Sequence, residues 1–159
     1  MAINQLKQLT VEPGENRGKS FQEGGIGVLF KIFGGETGGA LAVVEHPVDP
    51  HRLVPPHTHS DVDEYSYVIE GEIGARIGDR VVSAGPGTYV LKPRGVMHTF
   101  WNATDKPARI LEILSPGKFE KFFDVTRVFH PFISTCVRSI CCGSVIFRSC
   151  IIVSFTMAM

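Results

Sequence analysis

Four residues carry the chemistry this sequence could perform. His57 and His59 stand one residue apart in PPHTHSDVDEYSYVIEGEIG (residues 55–74), Glu64 follows, and His98 stands in LKPRGVMHTFWN (residues 91–102). Residues two apart on a strand face the same side, about 7 Å apart along the chain. Two imidazoles can therefore aim at one point. SDVD makes a turn, so a strand opening at Glu64 can fold back to that point, with Gly71 permitting the next tight turn. Pro93 and Gly95 bend the chain before a strand starting near Met97, on which His98, Phe100 and Asn102 share a face. Three imidazoles and one carboxylate converging make a common donor set for a first-row divalent metal.

The elements that must position these residues read as β-strands. GVLFKIF, ALAVVEH, EYSYVIE, EIGARIG, RVVSA, TYVLKP, HTFWNA and ARILEIL are short runs rich in β-branched and aromatic residues. GGETGG, EG, GDR, AGPG, PRG and NATDKP punctuate them. Short strands at close spacing indicate an all-β sandwich or barrel, and the Gly78–Asp79 pair between ARI and RVV predicts a hairpin. Ser115-Pro116 opens a predicted short helix, PGKFEKFFDV, with Ser115 as N-cap and a packing stripe of Phe119, Phe122 and Phe123.

Composition divides the chain. All four cysteines lie in the last 24 residues, and all 16 acidic residues lie at or before Asp124. Three of the 16 basic residues are in the tail, so residues 1–126 carry 13 against 16, a formal charge of −3. We divide the chain into an N-terminal arm (1–23), a barrel domain (24–126) and an atypical hydrophobic, cysteine-containing tail (127–159). The tail's longest uncharged apolar-leaning run, residues 149–159, has 11 residues, too few to span a bilayer. It reads as an interfacial or partner-binding extension or as frame-shifted or read-through translation; in the latter case deleting 128–159 leaves folding and metal content intact. Its cysteines lack the Cys-x-x-Cys pairing of a metal site.

Balanced total charge gives no field for nucleic acid or an anionic membrane. No helix-turn-helix, G-x-G-x-x-G motif or P-loop is present. The N-terminus lacks the apolar central region of a secretory signal, and a cysteine-free body fits a cytoplasmic setting. His46, His51 and His130 are expected on the surface or in loops. Tyr65, Tyr67 and Trp101 are expected on the face opposite the ligands, packing between sheets or at a dimer interface. Phe100 is balanced between lining a substrate pocket and packing in the core, and Asn102 is expected to hold a turn.

At this point the sequence resembles the cupins, specifically the small single-domain, quercetin-dioxygenase-like cupins. The first motif of that family, G-x5-H-x-H-x(3,4)-E-x6-G, is met by His57, His59, Glu64 and Gly71. The second, G-x5-P-x-G-x2-H-x3-N, is met by Gly87, Pro93, Gly95, His98 and Asn102. The one departure is His51, where the motif has glycine. The resemblance covers residues 26–115. It implies an antiparallel double-stranded β-helix, the jelly-roll barrel, and a metal (Fe, Mn, Ni, Cu or Zn) held by His57, His59, Glu64 and His98. It further implies a metal-dependent oxidoreductase of the dioxygenase type acting on a small organic molecule, with Glu64 as general base. Homodimers are common among relatives. A non-catalytic ligand-binding module and a metal-dependent isomerase or epimerase are the alternatives, because the fold hosts all three.

Overall fold

The computed structural model describes residues 9–18, 20–118 and 156–157. Its strands are β1 (Phe21–Glu23), β2 (Ile26–Ile32), β3 (Ala42–Val48), β4 (Arg52–Leu53), β5 (Thr58–His59), β6 (Asp63–Glu70), β7 (Ile73–Ile77), β8 (Arg80–Ala84), β9 (Tyr89–Lys92), β10 (His98–Asn102), β11 (Ala108–Ser115) and β12 (Thr156–Met157). A 3-10 turn, Gly34–Thr37, joins β2 to β3. Each of the eight runs read as strands from the sequence overlaps one of these elements. The helix expected over residues 116–125 and most of the tail lie outside the described residues. Ser115 closes β11, and its hydroxyl donates to the Ala40 carbonyl.

Two antiparallel sheets face one another. One has the order β1-β2-β3-β11-β6-β9, the other β4-β10-β7-β8. β12 pairs in parallel with β5 in a separate two-stranded ribbon. β1 falls within the stretch read as an arm and adds an edge strand to the larger sheet. Arg17 ties the preceding segment down, donating its backbone N–H to Phe30 O and pairing with Glu36 at 3.0 Å.

The turns obey local chemistry. Ile77 pairs with Arg80, so Gly78–Asp79 is a two-residue hairpin loop, with Gly78 at φ 56°. Gly71 has φ 75°, and a Cβ there would lie 2.6 Å from Pro107 O and 2.7 Å from Ala108 Cα. Only glycine fits both the conformation and the space.

Alternation along the strands puts apolar side chains between the sheets in two clusters. Val48, Val68, Ile73, Ala75, Ala84, Val90, Phe100, Ala108 and Ile110 form one. Val28, Phe30, Ala42, Val44, Val62 and Leu114 form the other. A polar belt separates them. On β11 the inward series runs Ala108, Ile110, Glu112, Leu114; on β3 it runs Val48, His46, Val44, Ala42; on β6 Ser66 and Glu64 lie between Val68 and Val62. Glu112, His46, Ser66, Glu64, Lys92 and His98 are all buried. His46 thus departs from the surface position expected of it. It shares the inward face of β3 with Val44 and Val48, and its Nδ1 lies 2.7 Å from Gly27 O.

Tyr65 and Tyr67 point away from this interior, as expected, but they do not pack between the sheets. Tyr65 is exposed, and Tyr67 meets Tyr89 on the outer face with ring centroids 4.7 Å apart. Trp101 lies over Gly74 on the outer face of the smaller sheet. Among the described residues no helix is long and apolar enough to cross a membrane.

Candidate metal centre

The four residues singled out by spacing converge. His57, His59, Glu64 and His98 each offer a donor atom, and these atoms lie within 4.8 Å of one another. The backbone brings this about. His57 and His98 face each other across an antiparallel bridge, each donating its N–H to the other's carbonyl at 2.9 Å. Gly95 N–H donates to His59 O at 2.7 Å, which ties the Pro93–Gly95 bend to β5. The same bend is tied to β6: Arg94 donates from its backbone N–H to Asp63 Oδ1 at 2.8 Å and from Nη2 to Asp63 Oδ2 at 2.7 Å. These bonds hold the Asp63 carboxyl below the usual carboxylate range and occupy the acidic residue nearest to Glu64 in sequence. The ring centroids of His57 and His98 are 4.5 Å apart, those of His57 and His59 4.9 Å, and those of His59 and His98 5.5 Å.

The imidazoles suit ligation in their hydrogen bonding. His57 Nδ1 lies 2.8 Å from Pro55 O, and His98 Nδ1 lies 2.9 Å from Val96 O. A carbonyl only accepts, so each Nδ1 carries the proton and each Nε2 presents a lone pair to the cluster. Burial, then the neighbouring His98, lowers the His57 pKa to about 4, so this ring is neutral over the physiological range. His98 Nε2 is buried without a hydrogen bond of good geometry, although Glu64 Oε2 is 3.2 Å away. Ligand bonds of about 2.0–2.2 Å place neighbouring donors about 3 Å apart and opposite ones about 4.2 Å apart. The observed cluster needs little contraction to meet that requirement. A buried lone pair directed at a carboxylate and two other imidazoles is what a cation would complete. The residues present fit a divalent metal.

Glu64 sits at the junction of this cluster and the polar belt. Its Oε1 is 3.0 Å from His59 Nε2, and its Oε2 is 2.7 Å from Lys92 Nζ. Burial alone would raise its pKa, but its partners, with the Lys92 ammonium the largest influence, hold the carboxyl well below the usual range. Lys92 is fully buried, and its pairing with Glu112 and Glu64 in turn outweighs burial and raises its own pKa.

A comparison with family models matches residues 45–114 to the Cupin domain. Over 115 residues the chain is 32% identical to the tetracenomycin polyketide synthase protein TcmJ of Streptomyces glaucescens, covering 72% of this chain and 73% of that protein. This chain belongs to the cupin family. The cupin also resembles the solved polyketide cyclase RemF of Streptomyces resistomycificus, with 26% identity, a TM-score of 0.53, and coverage of 61% of this chain and 72% of that one. A protein from Thermotoga maritima described as a predicted oxalate decarboxylase superposes with a TM-score of 0.62 at 15% identity, covering 68% of this chain and 99% of that one, a likeness of fold alone.

The other residues marked from the sequence fall as follows. Phe100 packs in the core between the sheets, 5% exposed, with Lys92 Nζ 5.0 Å from its ring centroid. Asn102 holds a turn: its Nδ2 donates to Lys106 O at 2.7 Å, and its Oδ1 accepts from Thr104 N at 2.9 Å and Thr104 Oγ1 at 2.8 Å. His51 lies in a loop, with Nε2 2.9 Å from Asp105 Oδ1. It adopts φ 58° at the position where the family motif has glycine, so the left-handed turn is kept without glycine. His130 lies outside the described residues. Sequence reasoning missed Lys92, Glu112, Ser66 and His46. Their signal was present in the alternation: each falls in phase with apolar residues that face the core. A shallow depression of about 260 Å³ beside Glu72, Gly74, Val82 and Trp101 lies on the outer face of the smaller sheet, away from the histidines.

Proposed function

We propose that this cupin is a metal-dependent enzyme acting on a small, partly apolar, enolisable molecule of the polyketide kind. The convergence of His57, His59, Glu64 and His98 within 4.8 Å carries the reading, and the likeness to TcmJ and RemF supports the substrate class. His57, His59 and His98 offer imidazole nitrogens, and Glu64 offers a carboxylate. A divalent cation among them would supply Lewis acidity and leave positions open for a chelating substrate. Fe, Mn, Ni, Cu and Zn all accept such a donor set. Where its hold on the metal is loose, Glu64 takes a proton from the substrate's acidic C–H or O–H at Oε1, the oxygen that does not face Lys92, leaving an enolate. A carboxyl held well below its usual range is a weak base. It can therefore serve only a proton already made acidic by two flanking carbonyls or by coordination. That requirement favours β-dicarbonyl and phenolic substrates over simple ketones.

The enolate leads either to carbon–carbon closure without oxygen or, in the dioxygenase-type reading, to attack by O₂. Three imidazoles with one carboxylate also suit a redox-active metal, and this favours keeping the second branch. The cysteine-free body supports a cytoplasmic setting, and exposed Tyr65, Tyr89 and Leu91 on the outer face of the larger sheet supply an apolar surface for a homodimer. The test is turnover of a panel of β-dicarbonyl and flavonol compounds with O₂ uptake recorded. Product without O₂ uptake supports closure, and product with stoichiometric uptake supports the dioxygenase. Glu64→Gln should abolish turnover while retaining more metal than activity. Saturable ligand binding with no turnover under any of the five metals would overturn the enzymatic reading.

A further inference from the structure

Behind Glu64 the belt holds a buried ion pair, Lys92 with Glu112, that neither the family motifs nor the proposed reaction uses. In the register of the larger sheet Lys92 stands opposite Glu64 and Ser66 stands opposite Glu112, so β9, β6 and β11 set these side chains next to one another on one inward face. Lys92 Nζ reaches Glu64 Oε2 at 2.7 Å and both oxygens of Glu112 at 2.8 Å. Ser66 Oγ donates to Glu112 Oε1 at 2.7 Å. Lys92 is 0% exposed, Glu112 2% and Glu64 4%.

An ammonium has three protons, and three carboxylate oxygens surround this one. It has none left to offer a substrate. Its presence in a core is costly unless it is paired, and a single carboxylate would suffice for pairing. Two are present. The second matters for the cluster: if Lys92 paired with Glu64 alone, it would cancel the one negative charge that the four donors offer a cation. Glu112 balances Lys92 and leaves the charge of Glu64 available. The contact is also directional. Oε1 faces His59 Nε2 at 3.0 Å, and Oε2 lies 3.2 Å from His98 Nε2 but also 2.7 Å from Lys92 Nζ; a cation is repelled from an oxygen already facing an ammonium, so Oε1 is the oxygen left to it.

We infer that Lys92 and Glu112 are positioning residues that hold Glu64 as a one-oxygen ligand and keep its charge free for the metal. This inference rests on the proposed metal centre. The probe is Co(II), whose visible spectrum reports the number and kind of its ligands, titrated into the full-length metal-free protein. Glu112→Gln leaves Lys92 to pair with Glu64 alone and should weaken Co(II) binding about 10- to 100-fold, the range typical of partners behind metal ligands. The double variant K92M/E112M removes both buried charges, so its folding does not depend on pairing them. It should bind Co(II) at least as tightly as the parent, with an altered visible band as Glu64 approaches through both oxygens. A merely structural belt would shift melting temperatures but leave affinity and spectrum unchanged. Folded Glu112→Gln and K92M/E112M proteins with the parent's Co(II) affinity and spectrum would overturn the inference alone. Failure of the parent to take up Co(II) would overturn the metal centre and this inference with it.

Discussion

Acid should destabilise the metal-free protein through His57, and replacing that residue should remove the effect. The folded chain holds the imidazole at a pKa of about 4 against an ordinary 6.5, with burial as the first cause and the neighbouring His98 ring as the second. Between these values the unfolded chain binds a proton that the folded chain does not. Stability is therefore lost as pH falls through the window and is fully present above it. One proton of difference corresponds to about 1.4 kcal/mol per pH unit, or about 3 kcal/mol over the whole window. The ring is only half-buried, and solvent screening reduces this to about 2 kcal/mol. His46, whose pKa burial also lowers, acts in the same direction and remains in the variant. Urea unfolding of chelator-treated parent and His57→Gln at pH 7, 5.5 and 4 gives the comparison. The parent should lose about 2 kcal/mol more than the variant between pH 7 and 4. Equal losses in the two proteins would refute the claim that the cluster holds His57 neutral and ready to ligate.

Two further outcomes test how the fold supports the centre. Asn102→Ala removes the hub that bonds Lys106 O and the Thr104 amide and hydroxyl. With buried backbone groups left unsatisfied it should cost about 3 kcal/mol in urea unfolding, while the folded fraction keeps its metal stoichiometry. Gly71→Ala places a methyl 2.6 Å from Pro107 O at φ 75°. It should cost more than the roughly 1 kcal/mol of the conformation alone and lower the thermal midpoint measured by circular dichroism.

Much of this protein could be read before its fold was known, and the exceptions have a common cause. Strand positions follow from a period of two, a property of each segment alone. The converging histidines follow from short spacings within two segments. Gly71 and Asn102 declared turns that the structure contains. What local pattern did not show is which strands become neighbours. Lys92 and Glu112 are 20 residues apart in sequence, and a lysine at the end of TYVLKP looks like the solvated close of a strand. It is buried because β9 lies beside β6 and β6 beside β11, an order set by long-range packing. His46 matches no motif position, which points to the surface, yet Val44 and Val48 flank it in phase and it is buried. Periodicity therefore outranked motif membership as a guide to burial. The left-handed His51 shows the converse: the turn tolerates a residue that the motif pattern would not have placed there.

The most direct measurement is the metal content of untagged protein by elemental analysis, parent beside His98→Gln. The parent should hold about one transition-metal ion per chain, and the variant, which loses the imidazole that joins the second segment to the first, should hold far less. A parent without metal, or a folded His98→Gln protein with the parent's metal content, would contradict the existence of the centre.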